Sequence, residues 1–116
     1  MILYHGTHNG LMGTGKAHEG MCLVDCESHA ARYAGRFGTV YAVDLDGMVV
    51  EECPGYDHDT NDAPADEQSF RERAADRGVD ILEYEDEDEQ GQPHTCYRIV
   101  SPRAIEAANA KLTECD

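Results

Sequence analysis

A chain of 116 residues is long enough for one domain with a real core, burying roughly two-thirds of its unfolded surface. A formal net charge of −15 disfavours loose binding to nucleic-acid phosphates, and no apolar run approaches the roughly 20 residues needed to cross a bilayer. Cys22, Cys26, Cys53, Cys96 and Cys115 are odd in number and scattered, which argues against a disulfide framework and for reduced thiols. Met1 to His5 lacks the basic start and apolar stretch of a secretory signal, so a cytoplasmic location is expected.

Ile2-Leu3-Tyr4 predicts a short strand broken at Gly6, before an irregular glycine-rich stretch from Asn9 to Gly20. Met21 to Val24 reads as a buried strand. Asp25 then offers an N-cap to a helix whose inner face carries Ala30, Tyr33, Ala34 and Phe37, closed by Gly38. Thr39 to Leu45 alternates as a strand, and Asp46-Gly47 is a hairpin signal before Met48-Val49-Val50. Cys53 to Pro64 is rich in Pro, Gly, Asp and Asn and predicts a loop. Asp66 can cap a polar helix running to about Arg77 and stopped by Gly78. Val79 to Tyr84 predicts a strand, returning through Gln90-Gly91-Gln92-Pro93 as Thr95 to Val100. Ser101-Pro102 opens a short terminal helix with Ala104, Ile105 and Ala108. Five or six short strands with two or three helices make a mixed α+β domain over residues 1–116.

The charge is unevenly placed. Between Glu51 and Glu89, 16 acids face only Arg71, Arg73 and Arg77, a net of −13. Such a segment serves solubility, or docks onto a basic partner.

Three short segments stand in a telling order: Leu3-Tyr4-His5-Gly6-Thr7 on the first strand, Ala30 to Ala34 with Tyr33 on the first helix, and Leu82 to Asp86 near the end of a late strand. Together with His94-Thr95-Cys96-Tyr97-Arg98 answering the acidic turn, this order resembles the ADP-ribosyltransferase superfamily in its His–Tyr–acid branch. Size and ending are most similar to small phage-encoded anti-CRISPR ADP-ribosyltransferases. The resemblance implies a compact domain with a curved, split, mainly antiparallel sheet holding NAD in a cleft. It also implies mono-ADP-ribosyl transfer to a macromolecular target, a protein such as a nucleic-acid-binding defence component. The acidic charge adds the expectation of a basic surface on that target and, with the lack of a long apolar run, of no direct nucleic-acid or membrane binding.

Cleaving the nicotinamide–ribose bond develops positive charge on the sugar, as in glycoside cleavage, and a fixed carboxylate beside that sugar stabilises it. The resemblance gives His5 to the ribose, Gly6 to the nicotinamide amide and Tyr33 to stacking on the ring, with Thr7 in the same motif. Arg32 or Arg36 could reach the pyrophosphate or pair with nearby carboxylates; Arg36 is counted among the cofactor contacts. Strand alternation puts Leu82, Tyr84 and Asp86 on one face, so Asp86 is the expected catalytic acid, with Glu85 and Glu87 as rivals if a bulge swaps the faces.

Each residue has a plainer role open to it: His5 as a strand-end histidine, Tyr33 as core, Asp86 as a solvated hairpin residue. Cys22, Cys26 and His29, or His5 and His8, have metal-ligand types at tolerable spacing, but no paired Cys-x2-Cys motif appears and no metal is expected. A non-enzymatic acidic decoy that mimics nucleic acid and an NAD glycohydrolase are the competing functions. RNA 2′-phosphotransfer would need a basic surface that this chain lacks.

Overall fold

The computed structural model describes residues 1–7, 17–36, 38–55, 57, 59, 63–87 and 91–115. Asn9 to Lys16 of the glycine-rich stretch, His8 and Phe37 lie outside them. The elements are β1 (Ile2–Thr7), β2 (Cys22–Val24), α1 (Glu27–Ala34), β3 (Thr39–Asp44), β4 (Val50–Glu52), α2 (Gln68–Asp76), β5 (Ile81–Glu87), β6 (Pro93–Ile99), α3 (Pro102–Lys111) and β7 (Thr113–Glu114), with a 3-10 turn at Pro64–Asp66 before α2. This is the expected α+β class. One open sheet runs β4-β5-β6-β2-β1-β3-β7 and is antiparallel throughout except for β4 on β5.

The sheet is nearly split at its centre. β1 and β2 share one register pair, Tyr4 with Val24, whereas β1 follows β3 continuously from Ile2–Asp44 to Thr7–Thr39. An unbroken ladder would set Gly6 opposite Cys22. Instead the strands part there, and a hollow opens between the two halves.

Each sheet face has its own core. On one, Leu3, Leu23, Val43, Ile81 and Ile99 pack under α3 through Ala104 and Ala108. On the other, Val24, Leu82, Tyr84 and Cys96 meet Ala30 of α1 and Ala74 of α2. The helices approach closely because their buried residues are alanines. Ser101 caps α3, its hydroxyl oxygen accepting from the Ala104 N–H at 3.0 Å, and Pro102 occupies the first turn where no N–H is needed.

Several local expectations change. Asp46-Gly47 does turn the chain, with Gly47 at φ 79°, but no hairpin follows: β3 already has β1 and β7 on its edges, so β4 crosses to the far edge and pairs with β5 in parallel. β1 runs straight through Gly6. Helix α1 stops at Ala34 with Gly35 as its C-cap, a turn earlier than expected, and its N-cap is Cys26, not Asp25.

Asp80 ties this crossing together. Its carboxylate is almost fully buried and accepts from Val49 N–H (2.8 Å), Ser101 Oγ (2.6 Å) and Arg103 Nη2 (2.5 Å). Burial alone would raise its pKa, yet the Arg103 and Ser101 hydrogen bonds outweigh this and hold it below the usual carboxylate value. Asp80→Asn keeps the volume but turns donors toward donors. It should cost about 2 kcal/mol in a urea titration, because the amide keeps one acceptor oxygen and leaves either the Val49 N–H or the Ser101 hydroxyl without its partner.

Candidate functional site

The hollow at the split is a cavity of 370 Å³ lined by Tyr4, His5, Gly6, Cys22, Val24, Tyr33, Asp86, Cys96 and Arg98. Three regions far apart in sequence therefore meet there: the middle of β1, the end of α1 and the β5–β6 hairpin. The expected His5, Gly6, Tyr33 and Asp86 are brought together. Thr7 and Arg36 are not among the described residues that line it. Arg36 follows the Gly35 cap, so it does not share a helix face with Arg32.

His5 occupies the seam itself. Its Nδ1–H donates to the Cys22 carbonyl at 2.8 Å, replacing the backbone ladder that β1 and β2 abandon. That assignment leaves Nε2 as an acceptor suited to a sugar hydroxyl. Burial lowers the His5 pKa against the opposing effect of the Cys22 carbonyl, so the ring is held neutral. The unfolded chain takes up this proton first, near the ordinary value of 6.5. Stability from His5 is therefore present above about pH 6.5 and lost as the pH falls toward the lower folded value. Urea midpoints from pH 7.5 to 5.5 should decline more steeply for the parent than for His5→Gln; equal slopes would contradict this.

Gly6 has a structural reason to be glycine. A Cβ at this position would lie 1.9 Å from the Ala30 carbonyl oxygen and 2.9 Å from the Ala34 nitrogen, so the backbone of α1 rests directly on β1. Gly38 repeats this at the other end of the contact, where a Cβ would sit 1.9 Å from the Ala34 oxygen.

Tyr33 is not core. Ala30 and Ala34 form the buried face of α1, while Tyr33 is 44% exposed and lines the cavity wall, where a planar ligand can reach it. Its hydroxyl shares a 2.9 Å hydrogen bond with His94 Nε2, and the two rings meet edge to face with centroids 5.9 Å apart.

Asp86 lies where alternation puts it. The β5–β6 ladder is continuous from Ile81–Ile99 to Glu87–Pro93, so no bulge swaps the faces. Leu82 and Tyr84 are buried on the cavity side and Asp86 follows them, half-buried, while Glu85 is exposed on the opposite side. Neither Glu85 nor Glu87 lines the cavity.

The sequence assigns no role to His94, although the hairpin register puts it directly across from Asp86. It is 6% exposed, and its Nδ1 is buried without a hydrogen-bond partner, as is Nδ1 of His29, whose ring centroid lies 5.1 Å away. Arg98, a cation that could have served a phosphate, lines the cavity with its guanidinium already bound to the Tyr84 hydroxyl (2.9 Å), the Gly20 carbonyl (2.9 Å) and Asp66. It anchors the floor. Among the described residues no group of three or more His, Cys, Asp or Glu side chains is arranged to hold a metal ion, and Cys22 has Cys96 as its diagonal neighbour on β6.

No family model, curated protein or solved structure matches this chain. What the site does must therefore be read from its own chemistry. The volume is near the lower end of the roughly 300–1,000 Å³ typical of small-molecule sites. It suits a flat ring and one sugar better than a whole dinucleotide. A carboxylate, an aromatic face and a neutral imidazole acceptor are the groups that a cationic ring joined to a ribose would use.

Proposed function

We propose that this chain is a mono-ADP-ribosyltransferase: it cleaves NAD at the nicotinamide–ribose bond and passes ADP-ribose to a protein with a basic surface. The observation that carries the proposal is the convergence of His5, Tyr33 and Asp86, from three separate elements, on one cavity. In this reading NAD is a co-substrate that enters by its nicotinamide end. Tyr33, held by His94, stacks on the ring. The Gly6 backbone lines the wall beside the amide, and His5 Nε2 accepts a ribose hydroxyl. Asp86 stabilises the positive charge that develops on the sugar as nicotinamide leaves, and its carboxylate can take the proton of the incoming acceptor.

The residues present fit the nicotinamide riboside half. For the pyrophosphate they offer less, since Arg98 is committed to the fold and Arg36 is not at the wall. Docking of the target falls to the acidic stretch from Glu51 to Asp66, whose charge complements a surface evolved to bind nucleic acid. By resemblance to the phage-encoded members, the target is a component of a bacterial defence complex and the site of action the host cytoplasm. Across the described residues no helix is long and apolar enough to cross a membrane.

The test is incubation with NAD labelled in its adenylate half, with and without a host lysate. Label on a discrete protein band supports transfer. Free ADP-ribose with no labelled band would replace transfer by NAD hydrolysis. Absence of any NAD turnover would overturn the enzymatic proposal in favour of an acidic decoy.

A further inference from the structure

The cavity floor carries chemistry that NAD cleavage does not use. Cys22 on β2 pairs in register with Arg98, and Val24 with Cys96, so both thiols lie on the cavity face of neighbouring strands, one residue pair apart along the diagonal. The two sit on one face with no side chain between them in the ladder, Cys96 being the diagonal neighbour of Cys22. Cys22 is half-buried at the wall, and Cys96 behind it is 1% exposed. Beside them the Arg98 guanidinium is fixed in place by Tyr84, Gly20 and Asp66.

We infer that Cys22 and Cys96 form a peroxide-reactive dithiol, with Cys22 as the attacking and Cys96 as the resolving thiol. Reactive cysteines of this kind combine access, a nearby cation and a second thiol within reach. Their acid–base order agrees: the neighbouring Cys96 thiol, helped by the Arg98 charge, lowers the Cys22 pKa despite burial, while the Cys22 sulfur and burial raise that of Cys96. The Cys22 thiolate attacks one oxygen of hydrogen peroxide, the O–O bond breaks, and hydroxide leaves a sulfenic acid behind. With the negative charge on Cys22 gone, Cys96 gives up its proton and its sulfur attacks the Cys22 sulfur. The S–O bond breaks and a second hydroxide leaves. Two thiols and one peroxide become one disulfide and two waters.

The bond would also act on the site. Diagonal neighbours across a ladder stand roughly 7–8 Å apart at Cα, somewhat beyond the usual disulfide span of about 4.4–6.8 Å. A strand must move, and β2 is the one able to do so: it is three residues long and holds β1 by a single pair. The carbonyl that moves with Cys22 is the one that orients His5. Oxidation therefore disturbs the proposed ribose contact. That consequence rests on the NAD proposal; the disulfide does not.

Treat the full chain with equimolar hydrogen peroxide, alkylate the remaining thiols in denaturant, and map the peptides by mass spectrometry. The expected product links Cys22 to Cys96, forms at least about tenfold faster than oxidation of Cys53 or Cys115, and is reversed by dithiothreitol. In Cys96→Ala the link is lost and Cys22 is trapped by dimedone as the sulfenic acid. Should that variant not fold, the map of the parent chain still decides. Oxidation of Cys26 in preference, or both Cys22 and Cys96 still alkylated after peroxide, would overturn the inference. NAD turnover, measured separately, should drop at least about tenfold on oxidation and return on reduction. A linked pair in a chain that never turns over NAD would sink the enzymatic proposal and leave the dithiol standing. A linked pair with turnover unchanged would refute the coupling to His5.

Discussion

Asp86→Asn should slow release of nicotinamide from NAD by about a thousandfold, with the melting temperature within about 2 °C of the parent. Removing one preoriented charge from a site where charge develops costs roughly 10²–10³ in rate, and exchanging a carboxylate for a neutral amide removes the entire charge. The loss belongs in kcat and not in KM, because the sugar becomes cationic only on the way to cleavage. Stability is spared for a structural reason. Asp86 is half-buried at the cavity rim, and it accepts a local hydrogen bond from the Glu87 N–H at 2.8 Å, which an asparagine oxygen can also accept. Glu85→Gln should keep the parent rate within about twofold, since that side chain is on the other face. Full activity in Asp86→Asn, or its loss in Glu85→Gln, would remove Asp86 from the chemistry.

The choice among Asp86, Glu85 and Glu87 is legible in the sequence because a strand has a period of two. Leu82 and Tyr84 have to be buried, and the residue two further on has to share their side. Some local signals are legible for a similar reason: Ser101-Pro102 opens α3 as a cap and first turn, and Gly91, just before β6, has φ 76°.

What sequence cannot supply is partner choice between distant strands. Nothing near Asp46-Gly47 says that β3 will be taken on both edges by β1 and β7, which forces β4 to the far side of the sheet. β7 itself is two residues with no pattern to find. The same limit explains the site. His94 and Cys22 gain their places from strand pairing, His94 opposite Asp86 and Cys22 opposite Arg98, and neither pairing leaves a local motif. Tyr33 has the helical spacing of a core residue because its distance from Ala30 and Ala34 defines a stripe but not its edge; the helix buries the alanines and leaves the tyrosine at the margin.

Gly6→Ala should destabilise the chain by about 4 kcal/mol and lower the melting temperature by roughly 15 °C. The obstruction is backbone: the new Cβ would lie 1.9 Å from the Ala30 carbonyl oxygen and 2.8 Å from its carbon, so no rotamer change relieves it. Either α1 lifts from β1, or β1 leaves the ladder that binds it to β3. Ala30→Gly would not rescue the variant, since the clashing atoms remain. Gly47→Ala gives the contrast, because a Cβ there meets nothing within 4 Å and only the φ of 79° resists, at roughly 1–2 kcal/mol. If Gly6→Ala melts within a few degrees of the parent, the close seat of α1 on β1 is wrong. The position of Tyr33 fails with it, because the same helix turn that rests on Gly6 carries the ring to His94.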